Sequence, residues 1–204
     1  MKSLTTIILV TLFYCFKCEE ETLKLSIYYE TLCPDSIRFF RNQLNSTYEK
    51  IGSSIEVDFI PYGFATQYKA DGKWTFHCQH GTRECSGNKY HACELAQENG
   101  EEKDVQFLDC SMRSRDPTSS KQLQICAENV GVNFTSINEC FKNGQGDELL
   151  IKYGERTNAV SPKISYIPTI IINDVFSQEV QNNAEFDLLN TVCKHLSKKP
   201  PACL

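Results

Sequence analysis

The chain has 204 residues, with 41% hydrophobic and 23% charged side chains, 10 Gly and 7 Pro, a balance that excludes a disordered, collagen-like or low-complexity chain. The formal charge is −5 and the sequence pI is near 5.4. With no block of Lys and Arg, a general nucleic-acid binder driven by counterion release is excluded as well.

Met1 and Lys2 precede an apolar run, Leu4 to Phe16, that stops at Lys17-Cys18-Glu19-Glu20-Glu21. A short positive start, about a dozen apolar residues and an acidic stop describe a secretory signal peptide over residues 1–18, shorter than the ~20 residues a spanning helix needs. No later segment is apolar enough for a membrane span. Removing Lys2 and Lys17 takes 21 basic residues to 19 against 26 acidic ones, a net of −7. Export lets disulfides persist and makes Asn45-Ser46-Thr47 and Asn133-Phe134-Thr135 glycosylation acceptors at Asn45 and Asn133. The expected destination is extracellular or lysosomal.

Leu23, Leu25, Ile27 and Tyr29 alternate as a strand does. After Cys33-Pro34-Asp35-Ser36, the residues Ile37, Phe40, Leu44, Tyr48 and Ile51 recur at helical spacing up to Gly52. Ile55 to Phe59 then alternates as a second strand, completing a βαβ unit with parallel strands. Residues 119–157 read as helical: Leu123, Cys126, Ala127 and Val130 share a face, and Ser136 and Glu139 have capping-box spacing. Pro168 leads into Thr169–Ile172, the turn Asn173-Asp174 and Val175-Phe176, which reads as a hairpin. A last helix over 184–198 places Phe186, Leu189 and Cys193 on one face. The order βαβ…ββα is the thioredoxin plan, an α/β fold, with a cysteine-rich, mainly helical insertion at about 64–157 in a single domain over 19–204.

Eleven cysteines less Cys15 and Cys18 leave nine: Cys33, Cys78, Cys85, Cys93, Cys110, Cys126, Cys140, Cys193 and Cys203. Four bridges use eight, and one thiol is left over; retention of Cys18 would make the count even. Counting does not say which one is free, and eight cysteines allow 105 connectivities. Position favours Cys33, which sits between a strand and a helix with Pro34 at the first helical position. Unpaired N–H groups and the positive end of the helix dipole there favour a thiolate, with Asp35 opposing. The competing reading makes Cys33 one half of a structural bridge.

The stretch Cys78-Gln79-His80-Gly81-Thr82-Arg83-Glu84-Cys85-Ser86-Gly87-Asn88-Lys89-Tyr90-His91-Ala92-Cys93 resembles the signature of the gamma-interferon-inducible lysosomal thiol reductase (GILT) family. The resemblance implies a thioredoxin-like domain that attacks protein disulfides, in lysosomes or outside the cell. It also implies a cis Pro168, with the Ile167 backbone receiving an extended substrate. This chain departs from the family at one place: the reductases carry Cys-x-x-Cys, and here Ser36 holds the second position. A hydroxyl can hydrogen-bond the Cys33 thiolate but cannot resolve a mixed disulfide, so release needs a small-molecule or protein thiol as reductant, a substrate thiol or another cysteine of this chain.

Cys78, His80, Cys85, His91 and Cys93 also invite a zinc reading. Structural zinc sites use cysteine pairs two to four residues apart, whereas six and seven residues intervene here, so bridges are expected and no metal. His80 and His91 then read as hydrogen-bonding residues, with pH sensing open to them. A Cys–His hydrolase would need a histidine beside Cys33, which sequence does not place there. The expected function is thiol–disulfide exchange on disulfide-containing proteins with no cofactor. The alternative is a secreted binding or immune-interaction protein that has lost redox turnover.

Overall fold

A computed structural model describes residues 22–204, so the expected signal peptide, with Cys15 and Cys18, lies outside the described residues. Strand β1 (Leu23–Tyr29) is the centre of a three-stranded sheet. On one side it pairs in parallel with β2 (Ile55–Pro61), from Leu23 opposite Ile55 to Tyr29 opposite Pro61. On the other it pairs antiparallel with β5 (Thr169–Ile172), with Tyr28 opposite Thr169. Leu25, Ile27 and Tyr29 face the larger core, while Tyr28 joins Ile60 and Ile171 in a second, smaller one. Both faces of the sheet are therefore covered, and β1 is buried nearly throughout instead of every second residue.

The helical segment after β1 runs as α1 (Pro34–Phe39), a π-helical turn (Phe40–Leu44) and α2 (Asn45–Ile51). Phe40, Leu44 and Ile51 form its buried stripe. Between β2 and β5 the chain is not wholly helical. A two-stranded hairpin, β3 (Thr66–Ala70) and β4 (Lys73–His77), turns at Asp71 and Gly72, both at positive φ. Asp-Gly is a strong hairpin signal, and it escapes a reading based on apolar periodicity because these strands carry few buried residues.

Helices α3 (Thr82–Leu95), α4 (Glu101–Arg113), α5 (Ser120–Val130), α6 (Phe134–Lys142) and α7 (Gln145–Ala159) follow. Cys93–Cys140 ties α3 to α6, and Cys110–Cys126 ties α4 to α5. Helix α5 buries Leu123, Cys126 and Ala127 and ends at Gly131 in the left-handed conformation. The capping residue of α6 is Asn133, not the expected Ser136: the Asn133 side chain accepts the Ser136 N–H at 3.3 Å.

Two expectations near the C-terminus change. The Asn173-Asp174 turn is present, with both residues at positive φ, but it closes a single bridge from Ile172 to Val175. The chain then leaves the sheet because Ser177 caps a new helix, α8 (Gln178–Ala184). Likewise the last helix is two, since Asp187 caps α9 (Leu188–His195) and breaks the run. Phe186 falls in the joint and is 70% exposed, while Leu188 and Val192 supply the buried face. Along the outer side of β5, the Gln181 side chain accepts the Ile170 N–H at 2.9 Å and donates to the Pro168 carbonyl at 2.8 Å. Cys193–Cys203 ties α9 to the end of the chain.

Candidate active site

Cys33 is the extended residue that caps α1, and Pro34 occupies the first helical position. It is the one cysteine outside a disulfide among the described residues. The fourth bridge, Cys78–Cys85, packs with it in the smaller core. The Cys33 thiol donates to the Ile167 carbonyl at 3.6 Å, and the Ile167–Pro168 peptide is cis. The strand end, the helix start and the proline loop thus meet at one sulfur.

The electrostatic expectation for that sulfur is corrected. Cys33 is only 7% exposed, and burial pushes its thiol above the ordinary value. Hydrogen bonds from Ser36 and from the Asp35 N–H pull the other way, and the Glu30 charge adds to the rise. The helix start does stabilise a thiolate, but desolvation outweighs it. Ser36 is fully buried, and its Oγ accepts the Glu30 N–H at 3.4 Å.

The run from Cys78 to Cys93 grips the three residues before Cys33. Asn88 Oδ1 takes the Thr31 N–H at 3.0 Å and the Thr31 hydroxyl at 2.9 Å. Glu84, one helical turn earlier on α3, accepts the Leu32 N–H at 3.2 Å and the His80 N–H at 3.0 Å. Gly87 lies between them on α3, and a Cβ there would strike Thr31 and come within 2.7 Å of Thr118. Only a glycine lets the helix and the loop approach this closely.

Behind the loop lies a carboxyl–imidazole–carboxyl cluster of Glu30, His80 and Glu84, whose nearest polar atoms all fall within 4.8 Å of one another. His80 Nδ1 is 2.6 Å from Glu84 Oε2 and 3.4 Å from Glu30 Oε2. Glu30 Oε1 accepts the Phe64 N–H at 2.6 Å, and Glu30 Oε2 has no hydrogen-bond partner. Burial, and then repulsion from Glu84, raise the Glu30 carboxyl to about 7. Sequence reading missed Glu30, whose side-chain partners come from two separate stretches, at Phe64 and at His80 to Glu84.

The rim is polar. Tyr166, one residue before Ile167, places its hydroxyl 2.7 Å from Asp35 and 2.9 Å from Glu185. Arg38 bonds the same two carboxylates, at 2.6 and 2.9 Å. The proline loop, α1 and the α8–α9 joint are fastened together there.

The zinc reading has no free thiolate to use, since Cys78, Cys85 and Cys93 are all bridged. His91 is fully buried in the larger core, and burial lowers its pKa to about 3, leaving a neutral ring. Ser111 gives its proton to the Pro117 carbonyl at 3.1 Å. His91 Nε2 therefore donates to Ser111 Oγ at 2.8 Å, and Nδ1 accepts the Tyr29 hydroxyl at 2.9 Å. Of the two sequons, Asn133 is exposed, whereas Asn45 starts α2 with Thr47 buried beneath it. No helix among the described residues is long and apolar enough to cross a membrane.

The overall fold is shared with solved thioredoxin-like structures. DsbA of Chlamydia trachomatis superposes with a TM-score of 0.59 at 10% identity, covering 97% of this chain and 100% of that one. Oxidised BdbD of Bacillus subtilis gives 0.57 at 14% identity, over 82% of this chain and 84% of that one. The fold is that of DsbA-like, thioredoxin-fold proteins. Residues 24–130 match the family described as gamma interferon inducible lysosomal thiol reductase. GILT-like protein 1 of Drosophila melanogaster is 34% identical over 190 residues, 87% of this chain and 76% of that protein. The Carassius auratus protein named gamma-interferon-inducible lysosomal thiol reductase is 30% identical over 93% of this chain and 75% of its own length. The chain belongs to the GILT family.

Proposed function

We propose that the protein exchanges thiols and disulfides on disulfide-containing proteins through Cys33 alone. The observation that carries this reading is an unpaired sulfur at the start of α1, facing the carbonyl that precedes cis Pro168. As a thiolate, Cys33 attacks one substrate sulfur; a Cys33–substrate disulfide forms and the other substrate sulfur leaves as a thiol. Ser36 steadies the thiolate and cannot finish the cycle. A small-molecule or protein thiol attacks the mixed disulfide, restores Cys33 and carries the substrate sulfur away, supplying the electrons. Ile167 and Pro168 form the surface that receives the substrate chain. Eight bridged cysteines support an oxidising compartment, extracellular or lysosomal. With it come removal of residues 1–18, glycans at Asn45 and Asn133, and one domain over 19–204 with its insertion at about 64–157.

The second reading, a binding protein without redox turnover, is favoured by the burial of Cys33 and its raised thiol pKa. Reduction of a denatured disulfide protein by a small thiol separates the two. Wild-type acceleration that disappears in Cys33→Ala supports exchange. Acceleration only in Ser36→Cys supports the binding reading.

A further inference from the structure

Behind the Cys33 loop, Glu30, His80 and Glu84 bring two carboxyls and one imidazole together, and their hydrogen bonds do not close. Glu30 and Glu84 have side chains with no exposure, while one third of the His80 side chain reaches solvent. His80 Nδ1 pairs with Glu84 Oε2 at 2.6 Å, and Glu30 Oε2, 3.4 Å from the same nitrogen, is left with no hydrogen-bond partner. A fully buried carboxyl oxygen without a partner is costly and rare in a native fold. A proton bridges two of these three atoms at a time; a dication serves all three.

The three groups are oriented as metal ligands are. The Phe64 N–H occupies Glu30 Oε1 at 2.6 Å and leaves Oε2 to the imidazole side. The His80 N–H occupies Glu84 Oε1 at 3.0 Å, and the Leu32 N–H bonds Oε2 at 3.2 Å. Outer hydrogen bonds of this kind fix the direction in which ligand atoms point. Gly63 leaves room for the Glu30 side chain: its φ is 58°, and a Cβ there would lie 2.3 Å from Glu30 Cγ. Donors about 2.0–2.2 Å from a tetrahedral ion stand roughly 3.4 Å apart, the separation found between His80 and Glu30. His80 and Glu84 need to part by about 1 Å more, which the partly exposed ring allows.

We propose that Glu30 Oε2, Glu84 Oε2 and His80 Nδ1 bind one zinc ion, with solvent completing a tetrahedral shell on the exposed side of His80. An imidazole nitrogen beside carboxylate oxygens suits zinc, whereas calcium and magnesium take oxygen ligands. Binding releases the proton held between Nδ1 and Glu84 and leaves the ring proton on Nε2. The double positive charge then offsets the two carboxylates. Cysteine spacing argues against a thiolate site and is silent on this one, whose donors are oxygen and nitrogen. The ion fastens the residue after β1, the turn between Cys78 and Cys85, and α3 into one unit behind the Cys33 loop. The site does not rest on exchange chemistry at Cys33.

The test is a titration of zinc chloride into the full folded chain, stripped with EDTA and dialysed, against a chromogenic chelator, with melting temperature read in parallel. Wild type is expected to take up one equivalent and to melt higher with zinc than without it. Glu30→Gln and His80→Asn are each expected to weaken binding at least about tenfold and to lose the zinc-dependent rise in melting temperature. His77→Asn, at an exposed histidine outside the cluster, and Cys33→Ala are expected to bind as wild type does. No uptake by wild type overturns the site, and so does uptake that survives both ligand variants, the mark of adventitious surface binding. Loss of binding in Cys33→Ala overturns this ligand set. Should Glu30→Gln not fold, His80→Asn decides, because that side chain is partly exposed and its replacement leaves both buried carboxyls in place.

Discussion

Asn88 Oδ1 holds both the main-chain N–H and the hydroxyl of Thr31, two residues ahead of Cys33 and 57 residues away from Asn88 in sequence. Asn88→Ala leaves the buried Thr31 N–H without an acceptor, while the Thr31 hydroxyl keeps the Glu84 carbonyl at 3.2 Å, a cost of about 1–3 kcal/mol. Asn88→Asp retains acceptor oxygens and is expected to recover part of it. Urea denaturation checks the ranking, and a loosened loop predicts faster Cys33 alkylation in the alanine variant.

Gly87→Ala is a small change on paper and a large one here. The added methyl meets Thr31 on one side and Thr118 on the other, so overpacking is expected to cost about 1–3 kcal/mol. Pairing it with Thr118→Ser removes the Thr118 Cγ2 methyl, one of the clashing groups. The double variant should then lose less than the two single losses summed, as read by thermal melts.

The four bridges close loops of different length. Cys93–Cys140 spans 47 residues and Cys193–Cys203 only 10. Chain-entropy reasoning gives the longer one about 1 kcal/mol more stabilisation. Replacing both cysteines of each pair by alanine should show that order in denaturant midpoints, and equal losses would refute it.

Stability is expected to peak on the acid side of neutrality. Burial, with Asp104 adding, raises Glu94 to about 9; Asp104 itself rises to about 6 and Glu30 to about 7, burial being the largest cause in each. Carboxyls with raised folded pKa values hold protons that the unfolded chain releases. Their contribution is complete below the unfolded pKa near 4 and is lost as pH rises through 6 to 9. His91, lowered to about 3, has the opposite sign and weakens the fold as pH falls below the ordinary histidine value. Melting temperatures should therefore be highest near pH 4–5 and fall toward neutrality, with Glu94→Gln flattening the alkaline side.

Local patterns made much of this molecule legible. The alternation in β1 and β2 and the stripe Phe40, Leu44, Ile51 are short-range signals, and each element stands where its spacing put it. Cys33 and Pro34 were readable as a strand-to-helix junction because both signals lie within a few residues. What stayed hidden depends on distant partners. Glu30 gains its meaning from Phe64, His80 and Glu84, and the bridges pair cysteines by packing that spacing does not encode. Phe186 misled for the reverse reason: Asp187 starts a new helix, so an apolar residue in apparent phase is left in a joint facing solvent.

The Gln181 amide, bonded to Ile170 and Pro168, does the work a fourth strand would do. It withdraws the border of the sheet from any passing polypeptide, so a second copy finds no ladder to zip onto. The molecule is thereby shielded from fibrous self-assembly on that flank, and in the proposed exchange a substrate chain is received at the proline loop instead.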